Sequence, residues 1–336
     1  MRRTTLRFGW LLSANERKTQ GTIDGVPLEN DVEILQDRFG IPHIFASNET
    51  DLATAQGYVH ARDRLWQIES GHRLVTGRLS ETVGERTVDL DHFTILAGFD
   101  PLRRRAVSAM SPENRLFVEA YARGLNAYLN ICGKRVPLEY RRLGLAPHRW
   151  TADDLCAVLP LNSWFLQTNY HEELVALLAR DSLDSETFAE LYPSSPGARL
   201  PFEGFFKKYG NARIGPLIPA ALAFYPELGG AGGGSNSWVS RFGEGDLPVL
   251  ANDPHLGMIV PQTWHICHLC CPSLNVAGVS MPGVPGIILG RNEKVAWGGD
   301  QPDDRHRRPR DGAHRPGSSH PLQGWRFMAG NGGGHG

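Results

Sequence analysis

Long apolar runs are missing from these 336 residues, and no segment approaches the ~20 consecutive apolar residues of a membrane-spanning helix. Net charge is nearly absent as well. The 35 basic residues face 36 acidic ones, so nothing draws the chain to nucleic acid or to an anionic membrane. Cysteine is scarce and odd in number: Cys132, Cys156, Cys267, Cys270 and Cys271 show no framework spacing, which argues against a disulfide scaffold. The apolar run at residues 8–12 is shorter than the about 7–15 residues of a signal-peptide core, which leaves a periplasmic or a cytoplasmic location open.

What is present is ordinary for a folded chain, 41% hydrophobic and 21% charged. Its character changes along the length. After an N-terminal segment, residues 1–29, residues 30–200 read as mainly helical, entered through a small β element. Residues 32–35 alternate like a strand, and residues 41–44 form a second short one. From Asp51 to about Leu74, apolar residues recur near the helical period. Ser111 followed by Pro112 is a helix start, and Thr151 with Asp154 resembles a capping box. A further helix is expected over residues 171–180. Residues 201–234 are a Gly-, Pro- and Ala-rich spacer. Residues 235–299 read as β structure, with strands near 235–242, 247–251, 264–271 and 274–281, a turn at Asn252-Asp253-Pro254, and a hairpin ending at Trp297. Residues 301–336 hold six Arg, four His, four Pro and eight Gly but no Ile or Val, and too little apolar surface to offset chain entropy. This divergent tail is expected to be disordered.

The chemistry concentrates where the spacer meets the first strand, at Gly233-Gly234-Ser235-Asn236-Ser237-Trp238. Taken alone, a glycine run before serine is a flexible linker. It is not a phosphate-binding loop, because the Lys-Ser/Thr pair is missing. A cut between Gly234 and Ser235 would give one residue both a hydroxyl nucleophile and a free α-amino base. His265, Cys267, His268, Cys270 and Cys271 have the composition of a metal cluster. Alternate residues of a strand point to opposite faces, however, and no second Cys or His pair lies at useful spacing, so the cluster is not read as a zinc site. His43 and His60 are read as structural.

Six pieces in order extend the signal beyond that junction: residues 32–44, Gly57-Tyr58-Val59-His60-Ala61-Arg62-Asp63-Arg64-Leu65-Trp66-Gln67, Gly77-Arg78-Leu79-Ser80-Glu81, Gly234-Ser235-Asn236-Ser237-Trp238, Ala251-Asn252-Asp253-Pro254-His255-Leu256, and Leu289-Gly290-Arg291-Asn292-Glu293 leading to Trp297-Gly298. Together they resemble the penicillin acylase family of N-terminal-nucleophile amidohydrolases, whose members act on penicillins, cephalosporins or acyl-homoserine lactones. The resemblance implies an α+β fold, the αββα sandwich, incomplete here because most of the second subunit is missing.

It implies a precursor in which Ser235 attacks the Gly234 carbonyl, giving an α/β heterodimer from one chain. The mature Ser235 would then hydrolyse a small-molecule N-acyl amide of penicillin type through an acyl-enzyme, with its own amino group as base. No cofactor is required for that chemistry. His255 is implied as the group that orients the Ser235 amine or lines the pocket. Asn252, Leu256, Trp164 and Phe165 are candidate substrate-binding positions, with Asn252 also able simply to close its turn. A structural calcium is implied, with Glu172 as a candidate ligand. Two further readings stay open. One is a truncated, non-catalytic fragment, since one oxyanion donor would fall in the divergent tail and the other is absent. The other is an acylase acting on N-acyl homoserine lactones.

Overall fold

The computed structural model of the chain describes residues 21–155, 179, 182–191, 234–243, 245–256 and 259–299. Its contacts divide it into two units. The first gathers Met1–Glu69, Ala106–Cys156 and Gly232–Gly336, and the second Ser70–Arg105 and Ala157–Ala231.

The first unit opens with β1 (Glu33–Gln36) and β2 (Pro42–Phe45), a hairpin that leads into the long helix α1 (Glu49–Val75). Asn48 starts that helix. Its Oδ1 accepts from the Asp51 N–H at 2.7 Å, while the buried Asp51 carboxylate accepts from the Glu29 and Asn30 N–H groups at 2.8 and 3.0 Å. The helix kinks at Arg64, whose φ of −142° and ψ of 21° lie outside the helical region. Arg64 and Gln67 both donate to the Gln262 carbonyl, at 2.9 and 3.1 Å.

Helix α5 (Pro112–Cys132) begins as its sequence predicts: Ser111 Oγ accepts from the Asn114 N–H at 3.3 Å, with Pro112 in the first turn. It crosses α1 at two glycines. A Cβ on Gly57 would lie 2.1 Å from the Tyr121 carbonyl oxygen, and one on Gly124 would lie 1.9 Å from that of Thr54. Only glycine permits so close an approach. Around the crossing, Leu65, Ile68, Tyr121, Leu125, Tyr140 and Trp150 form a buried cluster. Two short helices close this part, α6 (Leu138–Leu143) and α7 (Ala152–Leu155). Thr151 N–H and Oγ both donate to Asp154 Oδ2, at 2.9 and 2.6 Å, so Asp does the work of the Glu of a capping box.

After the spacer come β3 (Gly234–Ser240), β4 (Val249–His255), β5 (His265–Cys271), β6 (Leu274–Met281), β7 (Val284–Arg291) and β8 (Ala296–Trp297). A six-stranded sheet forms in the order β1-β2-β5-β6-β7-β8, and β3 and β4 pair as a separate two-stranded sheet. All described pairings are antiparallel except β2 with β5, where His43, Ile44 and Phe45 face His268, Leu269 and Cys270 in parallel. β5 alternates buried and less buried residues, with His265, Cys267, Leu269 and Cys271 on the inner face. Cys267, Leu269 and Cys271 pack with Ile44, Leu52, Val59 and Val276 into a second apolar cluster.

The second unit contains α2 (Ser80–Val83), α3 (Val88–Ala97) and α8 (Ser185–Leu191), while α4 (Phe99–Ser108) begins in it. Leu74, Val75 and Phe99 are its buried apolar centre, flanked by Leu79, Leu90 and Phe93. The buried Asp91 carboxylate accepts from the Leu79 and Ser80 N–H groups, each at 2.8 Å, and Glu81 is gripped by Arg73 at 2.7 Å and Arg78 at 2.8 Å. The two guanidinium groups, Arg78 above all, hold the Glu81 carboxyl below the ordinary range.

One expectation is corrected. Asn252-Asp253-Pro254 is not a turn but the end of β4, paired with Ser237, Asn236 and Ser235. Proline is tolerated there because a two-stranded sheet is all edge. The last hairpin turns at residues 292–295, where Asn292 Oδ1 accepts from the Lys294 and Val295 N–H groups at 2.8 and 2.7 Å. The spacer save for Gly234, the expected helix over residues 171–180 save for residue 179, and the divergent tail lie outside the described residues.

Candidate active site

The site is built on the β3–β4 pair. Gly234 opens β3 and faces His255, and Ser235 faces Pro254. Ser235 is therefore held by a strand from its own position onward, directly after the proposed scissile bond. In an antiparallel pair facing residues are close neighbours, so the register brings His255 to the Gly234–Ser235 junction.

His255 is half-exposed, and its Nε2 lies 3.2 Å from Asn236 Nδ2 and 3.1 Å from Asp253 Oδ2. One nitrogen cannot serve both contacts at once. Deprotonated, it accepts from the Asn236 amide; protonated, it donates to the Asp253 carboxylate. The ring thus has two defined partners, one for each state of that nitrogen.

Asn252 is the most connected side chain of the site. Its Nδ2 donates to the Asn236 carbonyl at 3.0 Å and to the Gly299 carbonyl at 2.9 Å, and its Oδ1 accepts from the Gly299 N–H at 3.0 Å. The reciprocal pair with Gly299 mimics a strand ladder and ties β4 to the segment that follows β8. Gly298 makes room for it, since a Cβ there would lie 2.8 Å from Asn252 Oδ1. Trp297 is anchored in turn by its Nε1, which donates to the Ile288 carbonyl at 2.9 Å. Sequence reasoning placed Asn252 near the site but missed Gly299, Asn236 and Asp253 as its companions. The available signal was the Trp-Gly-Gly run, a place where backbone can approach closely.

Leu256 follows β4 directly and is exposed, with its N–H donating to the Pro254 carbonyl at 3.1 Å. Trp164, Phe165 and Glu172 lie outside the described residues.

A second polar cluster lies inside the first unit. His60 of α1 is fully buried, with Nδ1 2.6 Å from Tyr121 OH and Nε2 2.9 Å from Ser280 Oγ. The Gly283 N–H donates to the same Tyr121 oxygen at 3.0 Å. Ser280 Oγ donates to the His265 carbonyl at 2.6 Å, and Cys267 Sγ lies 3.5 Å from Ser280 Oγ. Burial, with the nearby His265 adding to it, holds His60 well below its ordinary pKa, so the ring is neutral. Burial also pushes the Cys267 thiol up to about 11. The reading of His60 as structural missed these partners, Tyr121 61 residues away in sequence and Ser280 220 residues away.

Comparisons with known proteins agree on a single family. The profile of the penicillin amidase family matches residues 31–299. The acyl-homoserine lactone acylase QuiP of Pseudomonas aeruginosa is 33% identical over 285 residues, covering 81% of this chain and 33% of that one. Penicillin acylase 2 proenzyme of Pseudomonas sp. strain SE83 is 32% identical over 287 residues, covering 82% of this chain and 37% of that one. The chain therefore spans about a third of the length of these relatives. Among solved structures, a chain of the thermostable penicillin G acylase of Alcaligenes faecalis is matched at 26% identity with a TM-score of 0.42, covering 50% of this chain and 95% of that one. Among the described residues, no helix is long and apolar enough to cross a membrane.

Proposed function

The chain belongs to the penicillin amidase family, and from that premise we propose that it carries the self-cleaving serine of an N-acyl amide hydrolase at Ser235. The observation that carries the reading is the strand that begins at Gly234, with Ser235 second in it and His255 directly across. In the uncut chain Ser235 Oγ attacks the Gly234 carbonyl, and the peptide nitrogen leaves as the Ser235 amine. Water then hydrolyses the ester, freeing a Gly234 carboxylate and an N-terminal serine. Glycine before the cut tolerates the strained backbone that such attack requires.

In the mature form Ser235 Oγ attacks a substrate amide carbonyl while the α-amino group, with a reference pKa of about 7.7–8.0, takes the proton. The amine product departs and water releases the acyl group from Ser235. His255 steadies the amine end through Asn236 and Asp253, and Asn252 fixes the strand beneath it. The two sheets and the helices that precede them fit the αββα sandwich of N-terminal-nucleophile hydrolases. The substrate is a small N-acylated amine, of penicillin type or, given the named activity of the first relative, an N-acyl homoserine lactone.

The test is the intact mass of the purified chain with and without Ser235→Ala. Two fragments meeting at Gly234–Ser235, absent in the variant, are expected; a single uncut chain in both samples overturns self-processing for this polypeptide. Amine release from a phenylacetyl amide and from N-acyl homoserine lactones then separates the two substrate classes.

A further inference from the structure

His60, His265 and Cys267 each present one ligand atom within 4.8 Å of the others, and all three are buried. His265 is the informative member. Its Nε2 lies 3.1 Å from Asp63 Oδ2, while its Nδ1 is buried with no hydrogen-bond partner. A buried ring nitrogen without a partner is costly and calls for an explanation. A carboxylate holding one histidine nitrogen so that the other faces a ligand is the arrangement that orients metal-bound histidines. His60 is held at Nδ1 by the Tyr121 hydroxyl, with Nε2 turned to Ser280 Oγ, which also lies 3.5 Å from Cys267 Sγ.

We propose that His60 Nε2, His265 Nδ1 and Cys267 Sγ form a binding site for a thiophilic divalent cation, zinc first among them. Two imidazoles and one thiolate suit zinc, and Ser280 Oγ or a water completes four-coordination. Bond lengths of about 2.0–2.3 Å put tetrahedral ligand atoms about 3.3–3.8 Å apart, so the three side chains close inward by about 1 Å at the widest pair. The strand face of β5 supplies two ligands by its alternation, and α1 supplies the third. That third ligand answers the objection that the β5 histidines and cysteines point apart.

The metal–sulfur bond forms as the Cys267 thiol proton leaves to the buffer, so one proton is released for each zinc. Before loading, Ser280 Oγ donates its proton to the His265 carbonyl and so accepts from His60 Nε2–H, which leaves Nδ1 to accept from the Tyr121 hydroxyl. On loading, the ring proton moves to Nδ1 and the Tyr121 hydroxyl rotates so that its oxygen accepts it, freeing the Nε2 lone pair. The cation and thiolate leave one net positive charge beside the Asp63 carboxylate, which holds His265 Nε2 at 3.1 Å and is itself paired with Arg62 at 2.8 and 3.0 Å. The site is independent of the Ser235 chemistry.

The experiment titrates the full chain, in the Ser235→Ala form so that cleavage does not complicate the readout, with cobalt(II) as spectroscopic stand-in. One equivalent is expected to bind with a thiolate-to-cobalt charge-transfer band, displaced by zinc. Cys267→Ser abolishes the band, Cys270→Ser leaves it, and Asp63→Asn weakens affinity about 10- to 100-fold. Failure to take up an equivalent overturns the proposal, as does a band that survives Cys267→Ser. Should Cys267→Ser not fold, X-ray absorption of the zinc-loaded parent decides. One sulfur at about 2.3 Å with nitrogen neighbours supports the site, and an oxygen-only shell refutes it.

Discussion

Asn252→Ala isolates the connection between the β3–β4 pair and the segment after β8. The alanine deletes three hydrogen bonds, one to the Asn236 carbonyl and two with Gly299. Each is worth about 0.5–1.5 kcal/mol net, and partial exposure keeps the sum in the lower part of its range, about 1.5–3 kcal/mol. The Gly299 amide reports the loss directly, because its acceptor is the Asn252 side chain itself. Under conditions where exchange follows the opening equilibrium, its hydrogen exchange should quicken roughly 10- to 150-fold. Asp253→Ala is the control. That carboxylate is 75% exposed, and its contact to His255 is worth at most about 1 kcal/mol, so Gly299 should move by roughly 2-fold or less. Both variants are measured in the Ser235→Ala form. A Gly299 amide that exchanges within about 2-fold of the parent in Asn252→Ala would show that the clamp contributes nothing, and the reasoning for the site would fail at its best-connected residue.

Gly124→Ala forces a methyl to within 1.9 Å of the Thr54 carbonyl oxygen; a loss of about 1–3 kcal/mol or more is expected, and an unchanged melting temperature refutes the close crossing. Tyr121→Phe strands the Gly283 N–H and His60 Nδ1 in the interior, costing about 2–4 kcal/mol, as read from the denaturant midpoint. Stability also depends on pH through His60. Its folded pKa lies well below the unfolded value of about 6.5, so the neutral-ring contribution is complete above that pH and is lost on acidification, at up to about 1.4 kcal/mol per pH unit. Denaturant midpoints between pH 7 and 5 should fall more steeply for the parent than for His60→Gln, and parallel profiles would count against a buried neutral histidine.

The parts of this fold that local rules govern were legible in the sequence. Ser111 with Pro112 announced α5, the strand expected over residues 264–271 is β5 to within one residue, and Leu274–Met281 was bounded correctly because turn residues flank it. Asn252-Asp253-Pro254 misled for a physical reason. These residues favour turns by their own chemistry, yet a strand free on one side accepts them when its partner fixes the register. Non-local features were not legible. No periodicity shows that β2 and β5 lie parallel, that Gly57 meets Tyr121 and Gly124 meets Thr54, or that His60 faces Ser280 across 220 residues of sequence. Within the site, Ser235 and His255 stood out by type and context, whereas Gly299 enters through its backbone alone and carries no side-chain signal.

The seam inside the first unit has a consequence for what a cut chain would be. Segments before residue 156 and after residue 232 are joined by the β2–β5 ladder, by the paired bonds of Gln56 with Gly286 at 3.0 and 2.8 Å, and by Tyr121 and His60 reaching Gly283 and Ser280. None of these depends on the peptide bond between Gly234 and Ser235. Severing that bond changes the molecularity of folding while leaving every one of these contacts intact. Cut there, the two pieces would form a complementing pair, one carrying β1 and β2 and the other β5 to β8 of the six-stranded sheet.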